Sequence, residues 1–128
     1  MVTVEQAIAE AERILPGTPT SEGERDPRWQ AIIEVGRFIE TNPEEVWAFA
    51  LKWGCHMDED LRSAIATCLV EHLLDYDFDR IFPRVERAVA GSRLFEDMFC
   101  GCGKFGQAEK SGNSERFDRL KSKCRLAK

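Results

Sequence analysis

Asp26-Pro27-Arg28-Trp29-Gln30-Ala31-Ile32-Ile33 and, 32 residues on, Asp58-Glu59-Asp60-Leu61-Arg62-Ser63-Ala64-Ile65 open in the same way. Each begins with an aspartate that can cap a helix, continues with residues suited to a first turn, and then carries small and branched apolar side chains at helical spacing. Pro27 fits a first turn because the N–H it lacks has no partner there. A weaker copy, Ser92-Arg93-Leu94-Phe95, follows at an offset of 34, and Val46-Trp47 aligns with Arg80-Ile81 at the same offset. One helix pair therefore recurs about three times. A single pair cannot bury its own apolar face, so neighbouring pairs must stack.

Helices fill the chain outward from this motif. Thr3 and Gln6 form a capping box ahead of Val4, Ala7, Ile8, Ala11, Ile14 and Leu15, and Pro16-Gly17 ends that helix. Residues 16–25 hold two prolines and two glycines and are expected to be a flexible loop. Trp29, Ile32, Ile33, Gly36 and Ile39 give the second helix a buried face. Asn42-Pro43 starts the third, which carries Val46, Trp47, Ala50, Leu51 and Trp53 and ends at Gly54. In the fourth, a regular period puts Leu61, Ala64, Ile65, Cys68, Leu69, His72 and Leu73 on one face. The fifth begins near Asp77, where Pro83 predicts a short turn leading into a helix, or a kink. The sixth carries Leu94, Phe95, Met98 and Phe99. A last helix, capped by Ser114, carries Phe117, Leu120 and Cys124. No run alternates long enough for a half-buried strand, so the chain reads as all-α, with about seven helices in antiparallel pairs.

A length of 128 residues fits one domain, and 43% hydrophobic residues suffice for a core. The expected layout is an N-terminal helix over 1–15, the loop over 16–25, repeat pairs over 26–106 and a basic capping helix over 107–128. The net charge of −5 is uneven. Residues 1–103 hold 20 acidic and 10 basic side chains, and residues 104–128 hold 3 and 8. This excludes a wholly basic nucleic-acid binder. No segment reads as a signal peptide or a membrane span, so the expected location is cytoplasmic with no membrane partner. Five cysteines, an odd number without an export signal, are expected to be reduced thiols.

The two aspartate-led segments resemble HEAT-like repeats. The resemblance rests on Asp26-Pro27-Arg28 with Ala31, Ile32 and Val35-Gly36, and on Asp60-Leu61-Arg62 with Asp58, Ala64, Ala66 and Leu69. It covers residues 26–106 and implies a short right-handed α-solenoid. It also implies that Asp26 and Asp58, with Arg28 and Arg62 near them, contribute to contacts between successive turns. The period is shorter than the family's usual ~40 residues. The third unit lacks the Asp and Arg pattern. Val46-Trp47-Ala48 followed by Asp60-Leu61-Arg62-Ser63-Ala64 is also similar to bacterial DNA-alkylation-repair proteins of HEAT-like build. Those present a basic surface to DNA, whereas this helical body is net −10 and would repel phosphate.

Several side chains have both a possible site role and a simpler structural one. Cys100, Cys102 and Cys124, with His72 or His56, could ligate a metal. However, one residue between Cys100 and Cys102 is too few for a zinc knuckle, and no cofactor is expected. Cys55-His56 lacks a third, orienting residue for catalysis. His72 could act as an acid or base but reads more simply as a core or groove residue. Asp75, Tyr76, Asp77, Phe78 and Asp79 resemble the start of a calcium loop without its glycine or distal glutamate. Asp58, Asp60, Asp75, Asp77 and Asp79 are helix-start and turn acids that could line one acidic edge. Phe49 and Trp53, four apart, could line a groove beside it. The expectation is a non-enzymatic interaction module, an adaptor or an immunity-type inhibitor, binding another protein through those seven residues. The alternative is nucleic-acid binding through the basic last helix or a segregated arginine face.

Overall fold

The structure, a computed structural model, describes residues 2–18 and 26–126, with side chains up to Cys124. Among these residues it is all-α and holds no strand. In chain order the helices are α1 (Val4–Ile14), α2 (Pro27–Gly36), α3 (Pro43–Trp53), α4 (Glu59–Ile65), a π-helical turn (Ala66–Val70), α5 (Glu71–Tyr76), α6 (Phe78–Gly91), α7 (Arg93–Cys100), a 3-10 turn (Gly106–Glu109) and α8 (Asn113–Leu126). Because α4, the π turn and α5 run on without a break, the described residues form seven helical rods.

The repeated sequence signal corresponds to repeated helix starts. The Asp26 carboxylate accepts the Arg28 N–H, Asp58 accepts the Leu61 N–H, and the Ser92 hydroxyl accepts the Phe95 N–H. Each cap satisfies a donor that the first turn leaves without a partner. The capping box at Thr3 and Gln6 is present in both directions. α6 is capped differently. Asp77 makes no side-chain cap, and Gln107, 29 residues later, accepts the Phe78 N–H at 2.8 Å.

α1 packs along α2, α2 against α4 and the π turn, and α4 against α7; α1 also meets α3, and α6 meets α5 and α7. Ile32, Val35, Val46, Ala50, Ile65, Leu69, Leu73, Phe78, Phe82, Val85, Phe95 and Phe99 fill the continuous core between them. α8 closes the end, with Phe117 against Phe99 at 5.0 Å between ring centres.

Three local expectations are corrected. Of the two alternatives at Pro83, the turn leading into a helix is absent, because Pro83 lies inside a continuous α6. Phe78, Ile81, Phe82, Val85 and Val89 of that helix are all buried. Burial contributes about 2 kcal/mol for each large side chain, which outweighs the ~3 kcal/mol cost of one internal proline. The carbonyl left without a partner is that of exposed Asp79, within reach of water. Ile33, expected in the core, is 42% exposed. Of the expected flexible loop over 16–25, Pro16 and Gly17 are engaged. The Pro16 carbonyl accepts from Arg28 at 3.2 Å, and a Cβ on Gly17 (φ +57°) would meet Arg28 Cδ at 3.1 Å. Residues 19–25 lie outside the described residues.

The π turn explains a further correction. Its Glu71 N–H bonds back five residues to the Ala66 carbonyl, so one extra residue is accommodated. The face of the rod therefore lags by about 100° beyond this point. Leu69, Val70, Leu73 and Leu74 turn inward, while Cys68 is half-buried and His72 is exposed. A regular period had placed Cys68 and His72 on the buried face.

Candidate functional site: a groove between α2 and α5

Arg28 is 2% exposed, yet it carries a full charge. Its guanidinium donates to Asp26, to Asp58 at 3.1 Å, to Asp60 at 2.5 Å and to the Pro16 carbonyl. Trp29 Nε1 donates to the same Asp60 oxygen at 3.1 Å. Burial alone would lower the arginine pKa, but Asp26 and Asp58 more than offset it and hold the pKa above its ordinary value. The Asp58 carboxyl is held below its ordinary range, first by the Leu61 N–H and then, against its desolvation, by Arg28. Arg62, also buried, donates to Asp97 at 2.7 Å and to the His56 and Met57 carbonyls at 2.9 Å. The two arginines thus connect α2 to α4 and α4 to α7. No described buried side-chain nitrogen or oxygen lacks a partner.

At the other end of α2, sharing no residue with this frame, lies an open groove of about 910 Å³. α2 and the turn after it contribute Ile33, Arg37 and Glu40, and the π turn contributes Cys68. His72, Asp75 and Tyr76 come from α5, and Gln107 closes one end. Gly36 permits the close approach of the two walls, since a Cβ there would meet the Cys68 carbonyl at 3.2 Å and Leu69 Cδ2 at 3.3 Å. Ile33 and Tyr76 are 42% and 41% exposed, so the groove offers apolar surface among charged groups. The Tyr76 hydroxyl donates to the Glu40 carbonyl at 3.3 Å. Desolvation pushes the Cys68 thiol pKa up, partly opposed by Thr67, so Cys68 stays protonated at neutral pH. A protonated thiol is a poor nucleophile, although His72 stands four residues along the same rod.

The expected site residues separate. Phe49 and Trp53 are core residues, 3% and 8% exposed, because α3 turns them toward α1 and the chain interior; the exposed aromatic groove expected of them is not there. Trp53 Nε1 donates to Glu12 at 3.3 Å. Asp58 and Asp60 gather at Arg28, whereas Asp75, Asp77 and Asp79 lie at the far end of the rod. The rod runs from Glu59 to Tyr76, so the two sets are about 25 Å apart and do not form one edge. Asp75 lines the groove, Asp77 pairs with Arg80 at 3.4 Å, and Asp79 is exposed. Glu44 pairs with Arg84 at 2.8 Å.

The cysteines are also corrected. Cys100 and Cys124 form a disulfide, and Cys102 is buried, its thiol 3.8 Å from the Ala66 carbonyl in the π turn. The pairing takes up two of the three proposed metal ligands and replaces the expected five reduced thiols. No cluster of three or more histidine, cysteine, aspartate or glutamate side chains among the described residues could hold a metal. No described helix is long and apolar enough to cross a membrane.

Sequence reasoning missed the groove because two signals were hidden. Ile33 fits the helical period of a core residue, and the π turn leaves no distinctive residue pattern. No protein-family model, curated protein or solved structure matches the chain.

Proposed function

We propose that this chain is a small HEAT-like stack of helix pairs, without catalysis of its own, that binds a segment of another protein in the groove between α2 and α5. The observation that carries the proposal is the groove itself, about 910 Å³ and open to solvent, with Ile33 and Tyr76 exposed beside Glu40 and Asp75. Stacked helical pairs supply extended concave surfaces of this kind. Apolar anchors ringed by polar groups are how such surfaces hold a partner. The carboxylates of Glu40 and Asp75, set against the single cation Arg37, favour a segment that carries an apolar side chain next to a basic one. An adaptor or an inhibitor of a basic partner would use the site in this way.

The basic last helix supports this reading over nucleic-acid binding. Lys104 pairs with Asp118 at 3.0 Å, Arg116 lies 5.1 Å from the Phe82 ring centre, and Lys121 donates to the Cys100 carbonyl at 2.6 Å. Arg116 and Lys121 of α8 thus face the body, and Lys104 holds α8 from the loop before it, while Arg119 and Lys123 are exposed.

Selection of a random-sequence peptide library on the immobilised chain tests the proposal. Enrichment of peptides pairing aliphatic or aromatic with basic residues is expected, with binding lost in Ile33→Asp and Tyr76→Asp. No enrichment, or binding indifferent to both substitutions, would refute it.

A further inference from the structure

We propose that the Cys100–Cys124 disulfide is a redox site, opened by a dithiol reductant, and that opening it undocks the end of α8 while the rest of the fold stays closed. The bond joins the last residue of α7 to the final turns of α8, 24 residues along the chain. It is not enclosed. Both cysteines line two separate surface pockets, of about 440 and 420 Å³, on either side of the bond. Cys100 is half-buried and Cys124 is 8% exposed, so Cys100 is the more exposed of the two residues.

The two halves of α8 are held by different means. Up to Leu120 the helix has Phe117 against Phe99, Arg116 over Phe78 and Phe82, and Asp118 with Lys104. Beyond Leu120, among the described side chains, Ser122 and Lys123 are exposed. The remaining holds are the Lys121 bond to the Cys100 carbonyl and the disulfide. Opening the bond leaves that end, among the described side chains, with Lys121 alone, bonded to the Cys100 carbonyl and lying 5.8 Å from the Phe99 and Phe117 ring centres.

The chemistry balances as ordinary thiol–disulfide exchange. A thiolate of the dithiol attacks Cys100 Sγ, a new S–S bond forms, and the old electron pair leaves on Cys124 Sγ. The second thiol of the reductant then displaces Cys100. Two cysteine thiols and one oxidised dithiol result, with two electrons and two protons transferred. Lys121, three residues before Cys124 and lining the same pocket, supplies positive charge that favours the departing thiolate. Cys102 lines one of the two pockets but is only 2% exposed, and burial raises its thiol pKa and keeps it protonated, so it does not compete.

The test is alkylation with iodoacetamide, read by peptide mass, alongside amide hydrogen exchange on the full chain under native conditions. Before reduction, Cys100 and Cys124 are expected to resist alkylation. After dithiothreitol both react while Cys102 does not. Amide protection over residues 121–126 falls at least tenfold, and that of α2 and α4 is unchanged. The Cys124→Ser variant is expected to show the reduced exchange pattern without reductant. The proposal is overturned if Cys100 and Cys124 react before reduction, or if dithiothreitol opens the bond only in denaturant. Alkylation of Cys102 together with them would mean that the whole fold opens, and it also overturns the proposal. So does unchanged protection of α8 in either the reduced chain or Cys124→Ser.

Discussion

The seam between α2 and α4 and the seam between α7 and α8 solve the same problem with opposite means. At the first, one buried guanidinium gathers three aspartates and a backbone carbonyl from four places in the chain. At the second, aromatic packing and a disulfide do the work, with basic side chains laid over the rings. The first seam is indifferent to redox conditions and depends on every member of the network remaining charged. The second is held over most of its length by ring packing, and only its last turns are proposed to depend on oxidation. The groove proposed to bind a partner lies beyond the first, on walls from α2, the π turn and α5, and shares no residue with the arginine network or with the second seam.

Arg28→Ala is expected to have the largest effect. It leaves three carboxylates without their cation, at a cost of about 3 kcal/mol, toward the lower end for a broken buried pair because Asp60 is 45% exposed. Urea unfolding measures this, and a loss well under 1 kcal/mol would show that the first seam is held by apolar packing alone. Replacing both Cys100 and Cys124 with serine should remove a comparable amount, with loop closure over 24 residues setting an upper bound of about 3.5 kcal/mol and measured losses commonly falling below it. That loss should vanish when wild type and variant are compared in dithiothreitol. Arg62→Ala should cost about 2 kcal/mol, less than Arg28→Ala, since its one carboxylate partner, Asp97, is 53% exposed. Equal effects at the two arginines would erase the distinction between a three-acid hub and a simple link.

The seams should also differ in their response to acid. Asp58 titrates below its ordinary value, held there by the Leu61 N–H and Arg28. A carboxyl depressed in the folded state stabilises the fold above its unfolded pKa of about 4, and that stabilisation disappears as pH falls through the folded value. Stability should therefore decline below about pH 4, with a shallower decline in Arg28→Ala. A parallel decline in both would remove the arginine from the explanation. The smallest effect expected is that of Ser92→Ala, about 1 kcal/mol for loss of the α7 cap.

The helix starts were legible because capping is local. Asp26, Asp58 and Ser92 each cap a helix within three residues, and a reader of the sequence needs nothing more distant. What failed to show was non-local or cumulative. Gln107 caps α6 from 29 residues away, so Asp77 seemed the sufficient reason for that helix start. The π turn shifts all later positions of its rod at once, which moved His72 from the expected core face to the groove. Phe49 was ambiguous because a stripe offset by a fraction of a turn can face either solvent or a neighbouring helix. The disulfide required Cα atoms 5.9 Å apart on two different helices, information that the spacing of Cys100, Cys102 and Cys124 does not contain. The acids at the two ends of one rod share a local cause, helix capping and turns, and that cause does not bring them together in space.

The proposed partner surface on α2, the π turn and α5 shares no residue with the disulfide-bonded seam, and one measurement tests this placement directly. A peptide enriched on the wild-type chain is titrated by fluorescence anisotropy against the oxidised protein, the dithiothreitol-reduced protein and Ile33→Asp. The account predicts equal affinity, within about twofold or ~0.4 kcal/mol, for the oxidised and reduced forms, and loss of binding in Ile33→Asp. Binding that disappears on reduction and survives Ile33→Asp would contradict it, and would move the partner surface to the disulfide-bonded end of the molecule.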